Sequence, residues 1–564
     1  MNHSMRIVLT MAIGIFLCLL DTTVMNIALP VMQTGLSTSL TQLSWALNVY
    51  TILFASLTIP LGRLADIYGR SRLYLVGLSL FLIGSLSSGL AANVGWLIAG
   101  RSLQSLGAAI VFPASMTIGI QSVAPEKRTS AIAILGATQG LAAALGPTIG
   151  GAVTQFFGWR GIFLINVPFV ILAFILCLRL LSWQHQRPIG ERLDLWGSLL
   201  SMTMLFSLTL ALVKGDDWGW TSGAIIGLAV TSIVALDAFL FAEAHVDQPM
   251  VPLALFKDRQ FTGSAIVTVI AGVFMVAIMV LMPSYFTRVM GKSELMAALM
   301  ITPTSLMIFI FSPLSGFLLA KLGPRLVIFS GSLAIACGYG WLSVLNPRAY
   351  WQLVIVFVLV GMGYGIVIGP ITVLAAGKLT GKLLTASQSV IGVFRQIGTS
   401  LAVAIFVSAL STNLVTAKQH IWQSTQDQVA SLSMSAQAKT DTLATVKTRL
   451  KQAEPSTTAS TQGISAAKTK RLVKTNYQAV VKKQQLQHAP VAVQHQVYQQ
   501  VQQKVTQTVA HDNRQIKKVV HHVKVKTRSE LDWAFMWPYR LAMPLAWLML
   551  GCTLYFERRS DYLA

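Results

Sequence analysis

Apolar stretches of about 20 residues recur fourteen times along the 564-residue sequence. They lie at roughly 7–29, 44–64, 73–92, 96–118, 130–154, 161–182, 193–213, 222–242, 262–286, 295–319, 326–345, 351–376, 387–412 and 533–556. Segments this long and apolar cross a bilayer as helices, because hydrocarbon offers nothing to satisfy an open backbone. Only 11% of the residues are charged and 54% are hydrophobic, whereas soluble domains carry about 25% charge. The sequence thus predicts an all-α integral membrane protein with fourteen transmembrane helices. The first stretch has a basic flank at Arg6 and no small-residue cleavage site after it, so it is expected to remain as an anchor.

Short-loop Lys and Arg set the orientation. Placing the N-terminus inside puts Arg63, Arg70 and Arg72, Lys127 and Arg128, Arg187 and Arg192, Lys257 and Arg259, and Lys321 and Arg325 on the cytoplasmic side. Both termini are then cytoplasmic, and the polar stretch 413–531 lies outside. The formal net charge of +23 would suggest nucleic acid in a soluble protein. Over half of it sits in this one insert, where 14 Lys and 4 Arg face 5 acids, a net +13, so no nucleic-acid partner is expected. Val497, Val501, Val505 and Val509 recur every four residues, a helical period, and Pro455 marks a break. Helical segments, or a helical hairpin, are expected there; a flexible polar loop is the alternative.

An internal echo organises the rest. "GRLADIYGRSR" (62–72) follows the second span and "GFLLAKLGPR" (316–325) follows the tenth, aligning Gly62 with Gly316, Leu64 with Leu318 and Gly69 with Gly323. Weak repeats of this kind mark transporter folds with a site between the halves. The expected organisation is a six-helix bundle (1–185), a linker helix pair (186–260), five helices of a second bundle (261–412), the external insert (413–531), and a last helix with its cytoplasmic tail (532–564).

"GRLADIYGRSR" resembles the inner-loop signature of the major facilitator superfamily. "LDTTVMNIALP" (20–30), "LGPTIGG" (145–151), "RSLQSLGAA" (101–109), "WALNVY" (45–50), "FLINVP" (163–168) and "RQIG" (395–398) resemble motifs of its fourteen-span drug:proton antiporter branch. The resemblance covers the membrane part and not the insert. It implies two bundles rocking about a central site, with Gly62, Asp66, Gly69, Arg70 and Arg72 as a latch on the cytoplasmic side. Ser105 and Ala142 stand where two of these motifs have glycine, and the second-half echo has Ala320 in place of Asp66.

Asp21 sits deep in the first span, where a bare charge costs at least ~2.5–3.5 kcal/mol. Burial disfavours the charged form of a carboxyl and a nearby arginine favours it, so such an acid is placed to change its protonation state. Arg101, inside the fourth span, should face the interior with an acid partner. The resemblance implies that Asp21 carries the proton and Arg101 tunes it; a permanent ion pair holding helices together is the competing reading. Gly146, Pro147, Gly150 and Gly151 give the fifth span a small-residue face with a kink, which suits a seam that seals and opens. Tight packing with no part in coupling is the bland alternative.

The cavity is expected where spans 1, 2, 4 and 5 face spans 9, 10, 12 and 13. Asn26, Trp45, Asn48, Tyr50, Gln104, Gln139, Arg395 and Gln396 are its candidate lining; aromatic and amide groups suit flat, apolar, often cationic compounds. Asn166 reads as structural and Asp237 as a surface acid. No catalytic constellation, cofactor site or ATP-binding phosphate loop stands out, and solvated histidines explain His521 and His522 better than a metal does. The function expected is proton-driven export of hydrophobic or cationic drugs across the cytoplasmic membrane. The alternatives are export of an amino-acid, peptide or lipid-like metabolite, and a surface-interaction role in which the basic insert docks anionic cell-surface polymers.

Overall fold

The computed structural model describes residues 2–124, 127–181, 193–246, 249–377, 379, 381–452 and 464–560, and among these it is helical with no strand. The helices are α1 (His3–Gly35), α2 (Leu40–Tyr68), α3 (Arg70–Gly89), α4 (Val94–Gln121), α5 (Arg128–Phe157), α6 (Gly161–Leu164), α7 (Asn166–Leu180), α8 (Leu195–Trp218) and α9 (Gly223–His245). There follow α10 (Arg259–Arg288), α11 (Glu294–Leu322), α12 (Pro324–Val344), α13 (Tyr350–Ala376) and α14 (Gly381–Ala402). A π-helical segment, Val403–Val407, leads into α15 (Ser408–Ser431), and α16 (Ala436–Gln452), α17 (Ala466–Lys483) and α18 (Val491–Leu548) complete the chain.

Twelve described helices are long and apolar enough to cross a membrane, and a thirteenth forms if the two arms of α5, bent by 45°, count as one span. The stretch expected as the fourteenth, 533–556, falls on the end of α18 and the 3-10 segment Met549–Tyr555, outside those that pass this test. Pro60, Pro113, Pro147 and Pro370 lie within helices, which membrane bundles tolerate because neighbouring groups satisfy the freed carbonyls.

The chain divides into two units. The first comprises Met1–Thr287, Lys292–Ala409 and Pro538–Ala564. Here α1 packs on α4, α5 and α7, α3 on α4, and α2 on α4 and α8; α11 and α12 pack on α13. The two halves meet through α5 against α11 and α2 against α14. The echo is visible in the backbone: Gly69 and Gly323 both have positive φ, 99° and 81°, and each ends one helix and opens the next. Only glycine adopts that turn without strain. The linker helix α9 leaves Ile226, Val230, Ile233, Val234 and Phe241 exposed, an apolar face suited to lipid. Asp237 is exposed on the same helix.

The second unit comprises Leu410–Trp537 with Arg288–Gly291, wider than the 413–531 read from composition because helix occupies both borders. Asn413 donates to the Ala534 carbonyl (3.2 Å), His420 pairs with Glu530 (3.0 Å) and Ser424 bonds His522 (2.8 Å). This descending register makes α15 antiparallel to the stretch of α18 it packs on. Asp512 accepts from the Ser435 backbone N–H (3.0 Å) and hydroxyl (2.5 Å) at the start of α16, and Lys468 ties α17 to Asp441 of α16 (2.5 Å). The described part of the insert is thus a helical bundle rather than a loop. The expected break at Pro455 lies outside the described residues.

Candidate functional site

Asp21 and Arg101 meet in the interior of the first half. Asp21 is 5% exposed and Arg101 fully buried, and Arg101 Nη1 forms an ion pair with Asp21 Oδ2. The rest of the cluster satisfies what the pair leaves over. Arg101 donates through Nη1 to Gln104 Oε1 (2.8 Å) and through Nε to the Ala46 carbonyl (3.2 Å). Asp21 Oδ1 accepts from Gln104 Nε2 (2.9 Å) and Asn166 Nδ2 (3.3 Å), and both amides also reach Ser85 Oγ, at 3.2 and 3.1 Å. The guanidinium lies 4.2 Å from the centre of the Tyr50 ring, a cation–π contact. Helices α1, α2, α3, α4 and α7 therefore converge on one pair of charges. A buried pair of this kind adds little net stability, yet losing either partner is costly.

Asn166, read from sequence as structural, bonds the pair directly, and Ser85 was not foreseen at all. Ser85 carries no signal in an apolar run where serine is a common packing residue. Asn166 does: it lies in the quoted "FLINVP" stretch.

Beside the pair lies a cavity of about 230 Å³. From the first half Asn48, Tyr50, Arg101 and Gln139 line it, with Leu19, Thr22 and Thr23; from the second come Met275, Met279, Tyr364, Arg395, Gln396 and Ser400. Arg395 Nη1 donates to Gln139 Oε1, a contact between the halves across the cavity. Val403 of the π-helical segment and Val213 of α8 also line it, so the linker pair contributes to the site. π-Helical turns recur at functional positions.

The expected lining needs three corrections. Gln104 faces the ion pair instead of the cavity. Trp45 is held by Trp218 (ring centres 6.2 Å apart) and by Lys214 of α8, whose ammonium lies 4.5 Å from its ring. Lys214 is itself 1% exposed and pairs with Asp217 at 2.7 Å. The tenth span, α11, is absent from the described lining and packs on α5 instead. Asn26 lies in α1, and its side chain is outside the described residues. No carboxylate is among the described lining residues; Asp21 is turned onto Arg101, behind the wall.

The glycines of α5 and the 62–72 stretch make close helix contacts at different places. A Cβ on Gly146 would run into Thr23 Oγ1, and one on Gly150 would lie 2.9 Å from the Val24 carbonyl. Both glycines thus let α5 touch α1 within three residues of Asp21. Gly151 faces Ala298 of α11, and the 45° bend of α5 falls just before Gly146 and Pro147. At the other contact, Asp66 Oδ1 accepts from Arg70 Nε (2.6 Å) and from Thr385 Oγ1 of α14 (3.1 Å), and Arg70 also donates to Gln121 Oε1 (2.5 Å). A Cβ on Gly62 would meet Ser389 Oγ at 2.7 Å, so Gly62 and Asp66 present one face to α14. Arg72 is exposed and is not among the residues paired with Asp66. Glu243 of α9 accepts the backbone N–H groups of Met250 and Val251 at 3.2 and 3.1 Å. Thr385 and Glu243 were not read from sequence; a threonine or a lone acid at a helix end has no signature.

Two bundles of membrane helices around a central cavity, with a buried ion pair beside it, define an integral membrane carrier. The chain belongs to the Major Facilitator Superfamily, whose family model matches residues 11–403. It is 31% identical over 421 residues to the multidrug resistance protein Stp of Mycobacterium tuberculosis, covering 74% of this chain and 78% of that protein. It is 30% identical over 411 residues to the methylenomycin A resistance protein of Bacillus subtilis (72% and 87% covered). It is also 30% identical over 408 residues to the probable multidrug resistance protein EmrY of Escherichia coli (71% and 80%).

Proposed function

We propose that this protein exports small, largely apolar drugs by alternating access, with proton movement through Asp21 driving the cycle. The observation that carries the reading is the Asp21–Arg101 pair placed directly behind the wall of a cavity shared by both halves. The three relatives, all resistance proteins by name, support the drug-export part.

Proton uptake by Asp21 cancels its charge and releases Arg101 from the pair. Helices α1 and α4 then lose the attraction that fixes them, and α1 can shift against α5 at Gly146 and Gly150. Because the carboxylate faces away from the cavity, coupling runs through helix position rather than through competition for one group. Asp66, Arg70 and Thr385 hold the α2–α14 contact until that shift. In this reading both termini and the Asp66 latch are cytoplasmic, and 413–531 is outside.

Reconstitution tests it. With purified protein in proteoliposomes, an imposed pH gradient should drive a fluorescent aromatic probe against its own gradient, and a protonophore should stop it. Probe movement that ignores the pH gradient would refute proton coupling.

A further inference from the structure

The polar groups of the cavity are unequally matched. Arg101 is neutralised by Asp21, but Arg395 has no acid partner among the described residues; its one hydrogen bond is to the neutral Gln139 amide. Arg395 Nε is shut off from solvent without an acceptor, and so are Gln396 Nε2 and Ser400 Oγ on the same helix. Gln396 is 5% and Ser400 1% exposed, and all three line the cavity. A guanidinium and an amide NH₂ only donate. The hydroxyls of Thr22, Thr23 and Thr399 donate to their own helix carbonyls. Asn48, Thr51, Arg101 and Gln139 are the other polar groups of the wall, and Met275, Met279, Val280, Tyr50 and Tyr364 give it apolar and aromatic surface. Helix α14 thus brings unsatisfied donors to one wall of the chamber, and with them a positive charge that has no acid partner among the described residues.

We propose, on the export reading above, that the carried compound is an aromatic or apolar body bearing an anionic acceptor group, such as a carboxylate or sulfonate. The acceptor lies against Arg395, Gln396 and Ser400 and the body against the rings and methionines. Such a ligand satisfies the buried donors and the unpaired guanidinium together. A cation meets π faces and neutral oxygens there but no carboxylate among the described residues, with Arg395 opposing it.

Equilibrium binding decides this without any gradient. The full-length protein in nanodiscs is titrated with 1-pyrenesulfonate and with trimethyl(1-pyrenylmethyl)ammonium, which share a ring and differ in charge. Native protein should prefer the sulfonate by at least about tenfold, the scale of one charge-assisted hydrogen bond. Arg395→Met should erase the preference by weakening the sulfonate alone, and Arg395→Lys should keep part of it. Equal binding, a preference for the ammonium, or a preference untouched in Arg395→Met would overturn the proposal. If Arg395→Met does not fold, Gln396→Leu with Ser400→Ala replaces it: selective loss of sulfonate binding supports the site, and no loss overturns it. Transport of the same probes separates this from the export reading. Selective binding without gradient-driven transport sinks export and leaves the site, whereas driven transport of the ammonium with no sulfonate preference sinks the site alone.

Discussion

At the scale of single residues, the two partners of the buried pair are not equivalent. A carboxyl group can shed its charge by binding a proton; a guanidinium cannot. Asp21→Ala therefore strands Arg101 as an unpaired buried cation and should cost about 3–5 kcal/mol. Arg101→Gln should cost less, because Asp21 can neutralise itself and Gln104 and Asn166 still hold it. Thermal unfolding of both variants in the same nanodiscs checks the order; equal losses would mean the pair acts only as packing. Asp21 and Arg101 were legible as candidates because a charge in an apolar run is so improbable. Ser85 was not, since a serine there costs nothing that sequence could flag. The lining was read as a set of polar residues in facing spans, which finds Asn48, Gln139, Arg395 and Gln396 but cannot tell which way Trp45 and Gln104 point along their helices.

At the scale of elements, the seam predicts a specific rescue. Gly146→Ala drives a Cβ into Thr23 and should slow transport with little change in probe binding. Thr23→Gly in the same chain, which also removes the Thr23 Cβ that would lie 2.6 Å from the added carbon, should restore the rate, and failure to restore it would place the role of Gly146 elsewhere. In the insert, Glu530 joins α18 to α15. Burial opposes its ionisation, but hydrogen bonds from Lys526 and His420 outweigh this and hold its carboxyl below the ordinary value of 4.5. Its contribution is present above the unfolded value and is lost as pH falls through the lower folded value. With partly exposed partners it is worth less than about 1 kcal/mol. Amides of 415–431 should exchange faster below pH 4 than at pH 6 after correction for intrinsic rates, and Glu530→Gln should remove most of that difference. An unchanged pH response in the variant would assign it to another group. The valine period already pointed to helix in this insert, whereas the antiparallel partnering of α15 with α18 depends on hydrogen bonds no local pattern encodes.

At the scale of the whole molecule, every residue of the cavity, seam and latch belongs to the first unit. Replacing 413–531 by a short linker should therefore leave gradient-driven transport per folded molecule intact, and its loss would give the insert a part in the cycle. The bundle architecture was the most legible feature, because fourteen apolar runs and one echoed loop leave little freedom for another fold. The last run was the weakest, carrying Arg540 and two prolines, Pro538 and Pro544, and among the described helices it falls short of the length and apolarity that a membrane crossing needs even when the bent α5 is counted.

The most direct test of the central claim is transport of 1-pyrenesulfonate in proteoliposomes under an imposed pH gradient, comparing native protein with Asp21→Asn and Asp21→Glu. The account predicts uphill movement by native protein, none by Asp21→Asn despite retained probe binding, and partial recovery in Asp21→Glu. Uphill, gradient-dependent transport by Asp21→Asn would contradict it and move proton coupling to another residue.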